Sequence, residues 1–129
     1  MKITDGITRT VFIFNKFVIK IPTFKQYNLF LRGLLANLNE KSFSGIHSDL
    51  ARVYWCCGLG FLLIMERAEV IDNDGGKWGS CWHFINMLEE KYKDDKLKSF
   101  LLSDCKPSNW GLIGDRLVKI DYGEYEDNN

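Results

Sequence analysis

The chain has 129 residues, enough for one domain with a real core, and 46% are hydrophobic and 14% aromatic. Lysine plus arginine, 17 in all, equals aspartate plus glutamate, so no overall field draws the chain to nucleic acid or an anionic membrane. The longest apolar run, residues 56–65, is broken by glycines and too short to span a bilayer, and MKITDGITRT has no apolar signal region.

Four cysteines occur, Cys56, Cys57, Cys81 and Cys105, two of them adjacent and none in C-x-x-C spacing. That disfavours a disulfide framework or a zinc site and predicts free thiols in a reducing cytoplasm.

Residues 8–14 (TRTVFIF) and 17–21 (FVIKI) are β-rich runs joined by Asn15-Lys16, which predicts a hairpin. Lys20 stands among apolar residues in the second run and needs an anionic partner, because an unpaired buried charge is very costly. Ahead of the hairpin there is barely room for another strand. Pro22 closes the run, and residues 24–43 carry helical spacing, with apolar positions at 27, 30, 31, 34, 35 and 38 predicted to face the core. Gly33 marks a plausible break into two helical pieces. Glu40 is the only acidic residue after Lys20 in this stretch and sits at the margin of the apolar stripe.

Residues 50–57 and 60–65 flank Gly58-Leu59-Gly60 and predict a second hairpin, running into Met65-Glu66-Arg67-Ala68-Glu69. The Asp72–Gly76 stretch (DNDGG) is the best linker in the chain and lacks the closing glutamate of a calcium loop. Residues 78–92 predict an amphipathic helix, 93–98 a charged turn and 99–102 a short strand. His83 and His47 are poor material for a metal cluster.

The stretch 101–124, LLSDCKPSNWGLIGDRLVKIDYGE, is the most informative. Asp104, Asn109 and Asp121 are oxygen donors suited to a metal-bound phosphate, with Lys106 between the first two. WGLI, a Gly114-Asp115 turn and RLVKI predict a tight hairpin that brings Asn109 at its entrance close to Asp121 at its exit. Such donors suit Mg²⁺, a hard cation held by a few carboxylates plus substrate phosphates.

D-x-K-P-x-N, then a hairpin, then D-[aromatic]-G resembles the catalytic loop and metal-binding motif of the protein-kinase-like family. V-I-K resembles that family's strand lysine, and the order of lysine, helix glutamate, hinge-like segment, catalytic loop and D-Y-G covers nearly the whole chain. The resemblance implies that Asp104 accepts the proton of the attacking hydroxyl and Lys106 steadies the transferred phosphoryl group. It implies that Asn109 and Asp121 hold Mg²⁺, and that Lys20, fixed by Glu40, pairs the α- and β-phosphates of ATP. Met65 would stand at the gatekeeper position, and the Glu66 carbonyl and Ala68 N–H would meet adenine. Gly6 is all that remains of a glycine-rich loop. Tyr122 replaces the usual phenylalanine, and Leu102-Ser103 stand where His-Arg is usual, which removes the usual contact for a phosphorylated activation segment.

The implied fold is α+β, a truncated protein-kinase-like domain. An antiparallel-sheet N-terminal lobe with one helix extends to about residue 69, a linker covers 70–77, and a reduced C-terminal lobe covers about 78–129, with Mg–ATP between the lobes. Six residues follow Gly123, which leaves no activation segment and no peptide-substrate platform. The function implied is a minimal ATP-dependent phosphotransferase acting on a protein hydroxyl or on itself, in the cytoplasm. The alternative is a pseudokinase that binds a partner protein without catalysis. A remnant of this size looks like the small kinase-like proteins of viruses and mobile elements, so a host protein is a candidate partner. Four tryptophans and nine phenylalanines exceed what a small core hides, so an exposed apolar patch for a partner or a second copy is also expected.

Overall fold

The computed structural model describes residues 1–123, and the six residues after Gly123 lie outside the described residues. The architecture is α+β and falls into two units. One comprises residues 1–67 together with Tyr122 and Gly123; the other comprises 68–121. No helix among the described residues is long and apolar enough to cross a membrane.

The first unit is a five-stranded antiparallel sheet in the order β1-β2-β3-β5-β4, with one helix on it. The strands are β1 (Lys2–Asp5), β2 (Arg9–Ile13), β3 (Phe17–Pro22), β4 (Val53–Cys56) and β5 (Leu63–Glu66), and α1 is Tyr27–Phe43. The β2–β3 hairpin pairs Val11 with Lys20 across the register, and Lys20 faces Leu63 on β5. The sequence left little room for a strand ahead of the hairpin, yet β1 forms. Its four residues pair fully with β2, from Lys2 opposite Ile13 to Asp5 opposite Thr10.

The helix α1 departs from expectation twice. It is continuous through Gly33. A Cβ at that position would collide with the Thr8 carbonyl and with Pro22, so the glycine permits close approach to the sheet instead of breaking the helix. The helix also presents the opposite face. Its buried residues are Gly33, Ala36, Asn37 and Glu40, whereas Tyr27, Leu31, Leu35 and Leu38 are exposed. Each buried position lies two residues after an apolar one, a rotation of roughly 200° about the helix axis. Small and polar side chains win the inward face because the sheet side holds fixed cations and carbonyls that they satisfy, described below.

The second unit carries β6 (Glu69–Val70), α2 (Cys81–Lys91), α3 (Lys98–Leu101), β7 (Trp110–Ile113) and β8 (Arg116–Lys119). The three strands form an antiparallel sheet in the order β6-β7-β8. The hairpin of β7 and β8 turns at Gly114, whose φ is 62°, and pairs Trp110 with Lys119. Ser80 caps α2 by accepting the His83 N–H at 3.0 Å. The core here is built on Phe84, Leu88, Tyr92, Trp110 and Val118.

Residues 99–102, expected as a strand, are mostly helical, in the short α3. The physical reason lies far along the chain. Lys119 Nζ reaches the carbonyls of Phe100 and Leu101 at 3.2 and 3.0 Å and caps the end of that turn.

Candidate functional site

In the first unit the chemistry centres on Glu40, which is completely buried. Arg9 donates to both of its oxygens, Nη1 to Oε1 at 2.8 Å and Nη2 to Oε2 at 2.9 Å. Lys20 Nζ donates to Oε1 at 2.9 Å. The backbone N–H groups of Tyr122 and Gly123 donate to Oε2 at 3.2 and 3.1 Å. Burial on its own would raise the Glu40 pKa. Arg9 and Lys20 together outweigh that and hold the carboxyl at about 2, so it is a carboxylate at every ordinary pH.

The surroundings of this carboxylate are equally well satisfied. Asn37 accepts from Arg9 Nη1 at 3.0 Å and donates to the carbonyls of Lys20 and Gly60 at 3.1 and 2.8 Å. Tyr122 is buried and its hydroxyl donates to the Ala51 carbonyl at 2.6 Å, while burial pushes its pKa up. A side chain at Gly123 would collide with the Ala36 carbonyl on α1, so the D-Y-G glycine fits there because it has none. Residues some 20 and 80 positions apart thus converge on one carboxylate.

The other first-unit candidates lie apart from this cluster. Gly6 is exposed in the short β1–β2 connection, its N–H donating to the Arg9 carbonyl at 2.8 Å. Met65 is fully buried on β5, and Glu66 at the strand end accepts the Arg52 N–H at 3.2 Å through its side chain.

In the second unit Asp104 is exposed and stands in the left-handed region at φ 44°, the one non-glycine residue there among those described. Aspartate tolerates that conformation better than most residues, and its energetic cost is held by neighbours. Asn109 is that neighbour. Its Nδ2 donates to the Asp104 carbonyl at 2.8 Å and to Asp104 Oδ2 at 3.2 Å, and its N–H donates to the Lys106 carbonyl at 3.0 Å. With Nδ2 so committed, the Asn109 Oδ1 is the atom with acceptor capacity toward a cation. The Ile120 N–H donates to the Asn109 carbonyl at 2.8 Å, which fixes Asn109 beside the residue that precedes Asp121. The hairpin therefore brings the entrance and exit of D-x-K-P-x-N…D-Y-G together in backbone terms. Lys106 and Asp121 are exposed. Ala68 packs against Gly111, where any side chain would strike its Cβ.

Two site residues escaped the sequence reading. Arg9 is the larger donor to Glu40, and Lys119 is a fully buried cation beneath the Asp104 loop. Besides α3, Lys119 donates to the Ser103 carbonyl at 2.8 Å and the Ser103 hydroxyl at 3.3 Å, and it lies 5.8 and 5.9 Å from the Phe100 and Trp110 ring centroids. Burial lowers its pKa to about 8, against smaller opposing effects of Cys105, Asp104 and Asp121. A signal for both existed. Each is a cation flanked by apolar or β-branched neighbours in a predicted strand, the same pattern that singled out Lys20.

Among the described residues no three His, Cys, Asp or Glu side chains form a group that could hold a metal ion. The sequence matches no model of a known protein family and no curated protein.

Proposed function

We propose that the chain is a minimal protein-kinase-like phosphotransferase that binds Mg–ATP and moves the γ-phosphoryl group to a hydroxyl. The observation that carries this reading is the convergence on Glu40. A strand lysine, a helix carboxylate and the backbone of the D-Y-G segment, three separate stretches of the motif pattern, meet by hydrogen bonds of 2.9 to 3.2 Å. A structural ion pair alone has no need of the third member.

Each residue then has a task. Lys20, oriented by Glu40, pairs the α- and β-phosphates, and Glu66 and Ala68 offer backbone groups to adenine. Asp104 accepts the proton as the acceptor oxygen bonds to the γ-phosphorus and the bond to the β–γ bridging oxygen breaks, releasing ADP. Lys106 steadies the phosphoryl oxygens. Asn109 and Asp121 would hold Mg²⁺, which neutralises charge on the phosphates. Two protein donors leave most of the coordination to phosphate and water, a usual arrangement for this ion. Catalysis rests on positioning and charge neutralisation.

A thermal-shift titration with ATP, with and without Mg²⁺, tests the reading. ATP at 100 times its Kd adds about 2.7 kcal/mol of stability. The shift is expected to require Mg²⁺ and to vanish in Asp121→Ala, with transfer of label from ATP vanishing in Asp104→Ala. A flat response to Mg–ATP overturns it.

One observation favours a second reading. The β1–β2 connection is only three residues with a single glycine, so few backbone N–H groups are on hand to cradle phosphates. In that reading the chain is a kinase-shaped binding module that engages a partner protein without phosphoryl transfer. Partner capture that survives Asp121→Ala distinguishes it.

A further inference from the structure

We infer that the outward face of α1 is where a second copy of this chain docks, through an antiparallel pairing of the two helices. The inference stands on the first unit alone and is independent of nucleotide chemistry. Phe24, Tyr27, Leu31, Leu35, Leu38 and Phe61 are all exposed, with Tyr27 at 74%, Phe24 at 73% and Leu35 at 57%. These residues belong to one continuous surface. Phe24 packs on Phe30 at 5.3 Å between ring centroids, Phe30 on Phe61 at 5.9 Å, and Gly60 beside Phe61 lies against Leu34 and Leu38.

Folding does not account for this stripe, because the helix docks on its sheet through Gly33, Ala36, Asn37 and Glu40. An exposed apolar surface of this kind marks an interaction site, whereas scattered single residues would not. Three features select a copy of the same chain as the occupant. The first is spacing: within α1 positions 27, 31, 34 and 38 recur at four and three residues, the seam by which one helix packs along another, and Phe24 just ahead of the helix extends it. The second is charge. None of those five positions is charged and the chain's formal net charge is zero, so two copies meet without repulsion along the seam or at long range.

The third is area. The six named side chains leave on the order of 600 Å² exposed, taking about 180–210 Å² for each when fully exposed. Two copies that covered this surface completely would bury roughly 1,200 Å² in total, the lower end for specific interfaces. A two-fold axis makes the contacts reciprocal: where one residue of the patch meets a second on the other copy, the second meets the first in return. The helical positions 27, 31, 34 and 38 are symmetric about the point between Leu31 and Leu34. In an antiparallel pairing Leu31 therefore meets Leu34 of the second copy, Tyr27 meets its Leu38, and the two copies of Leu31 lie within one turn of each other beside the axis.

The experiment is sedimentation velocity of the full chain across a dilution series, with disulfide trapping of single-cysteine insertions. The wild-type chain is expected to dimerise with a micromolar Kd, and Leu31→Glu with Leu35→Glu to weaken it at least roughly tenfold, since each buried leucine is lost on both sides. Both positions are exposed, and an unchanged far-UV spectrum and melting midpoint show that the variant folds. Leu31→Cys is expected to trap the dimer under mild oxidation, well above the wild-type background of the four native cysteines and above Trp82→Cys, an exposed position in the second unit. A wild-type chain that stays monomeric at about 100 μM overturns the inference. So does a dimer that survives Leu31→Glu with Leu35→Glu, or Leu31→Cys trapping no better than Trp82→Cys. A stripe found to be covered by a different protein while the chain itself stays monomeric overturns it as well.

Discussion

Among the described residues each unit buries one charge completely, and the two are accommodated in opposite ways. Glu40 in the first unit is met by two cations and two backbone amides. Lys119 in the second is met by three carbonyls, a hydroxyl and two aromatic rings, all of them neutral. The titration directions report the consequence. The Glu40 carboxyl is held at about 2, so its surroundings favour the charged form over water. The Lys119 ammonium is pulled down to about 8, so its surroundings favour the neutral form. Counter-charge more than offsets desolvation at the first site, and dipoles fall short of it at the second.

The largest effect is expected where counter-charge is removed. Glu40→Gln leaves Arg9 and Lys20 buried together without their carboxylate, and loss of a buried partner of this kind costs about 3–5 kcal/mol. Urea denaturation at pH 7 measures it, and a loss below about 1 kcal/mol would mean that the two cations relax to solvent. The same site sets an acid limb. Because the folded pKa lies near 2, against 4.5 ordinarily, the contribution of Glu40 is fully present above pH 4.5. It is lost as pH falls from there through 2, and amounts to on the order of 3 kcal/mol. In Glu40→Gln that part of the acid sensitivity is absent. An acid limb identical in the two proteins would show that other carboxylates carry it.

Arg9 and Lys20 divide the counter-charge unequally, and comparing them sharpens the picture. Arg9 makes a two-pronged contact with Glu40 and a third bond to Asn37, whereas Lys20 makes one bond to Glu40. Arg9→Met is expected to cost about 2–3 kcal/mol and Lys20→Met about 1–2 kcal/mol, hydrogen bonds to charged groups being worth roughly 1.5–3 each before relaxation. The order is the test. If Lys20→Met proved the more damaging, the lysine rather than the arginine would be the structural anchor of the helix. Arg9, with its two bonds to Glu40, keeps the carboxylate in place on its own.

These networks explain which parts were legible in the sequence. The β7–β8 hairpin is written locally, in the Gly114-Asp115 turn and its apolar flanks, and the β2–β3 hairpin in its β-branched runs. The helix was legible as a helix, but its facing was not. Helical periodicity assumes that apolar residues go inward, and here Arg9 and the Lys20 and Gly60 carbonyls make Asn37 and Glu40 the better fit. That preference depends on contacts 17 to 31 positions apart, which no local pattern contains. α3 was missed for the same reason, since its cap comes from Lys119. The rule that a strand cation among apolar neighbours must find a partner was applied to Lys20 alone. Extended to Arg9 and Lys119, it would have flagged both.

The smallest effect is expected at Lys119, although it is as deeply buried as Glu40. Lys119→Met takes this donor from the Leu101 and Ser103 carbonyls, at about 1–3 kcal/mol for each unsatisfied buried group, while the Phe100 carbonyl keeps the Ser103 N–H and hydroxyl. It also removes an ammonium whose surroundings already disfavour its charge, a relief on the order of 3 kcal/mol from the depression of its pKa from 10.5 to about 8. The two nearly cancel, so a net loss of about 1 kcal/mol is expected at pH 7, well short of that for Glu40→Gln. Its sharper consequence is local. Phe100, Leu101 and Ser103 lead directly into Asp104, so hydrogen exchange across 100–105 is expected to quicken while β7 stays protected. A loss in Lys119→Met as large as in Glu40→Gln would refute the distinction between the two buried charges, because carbonyl dipoles would then hold a cation as firmly as counter-charge holds an anion.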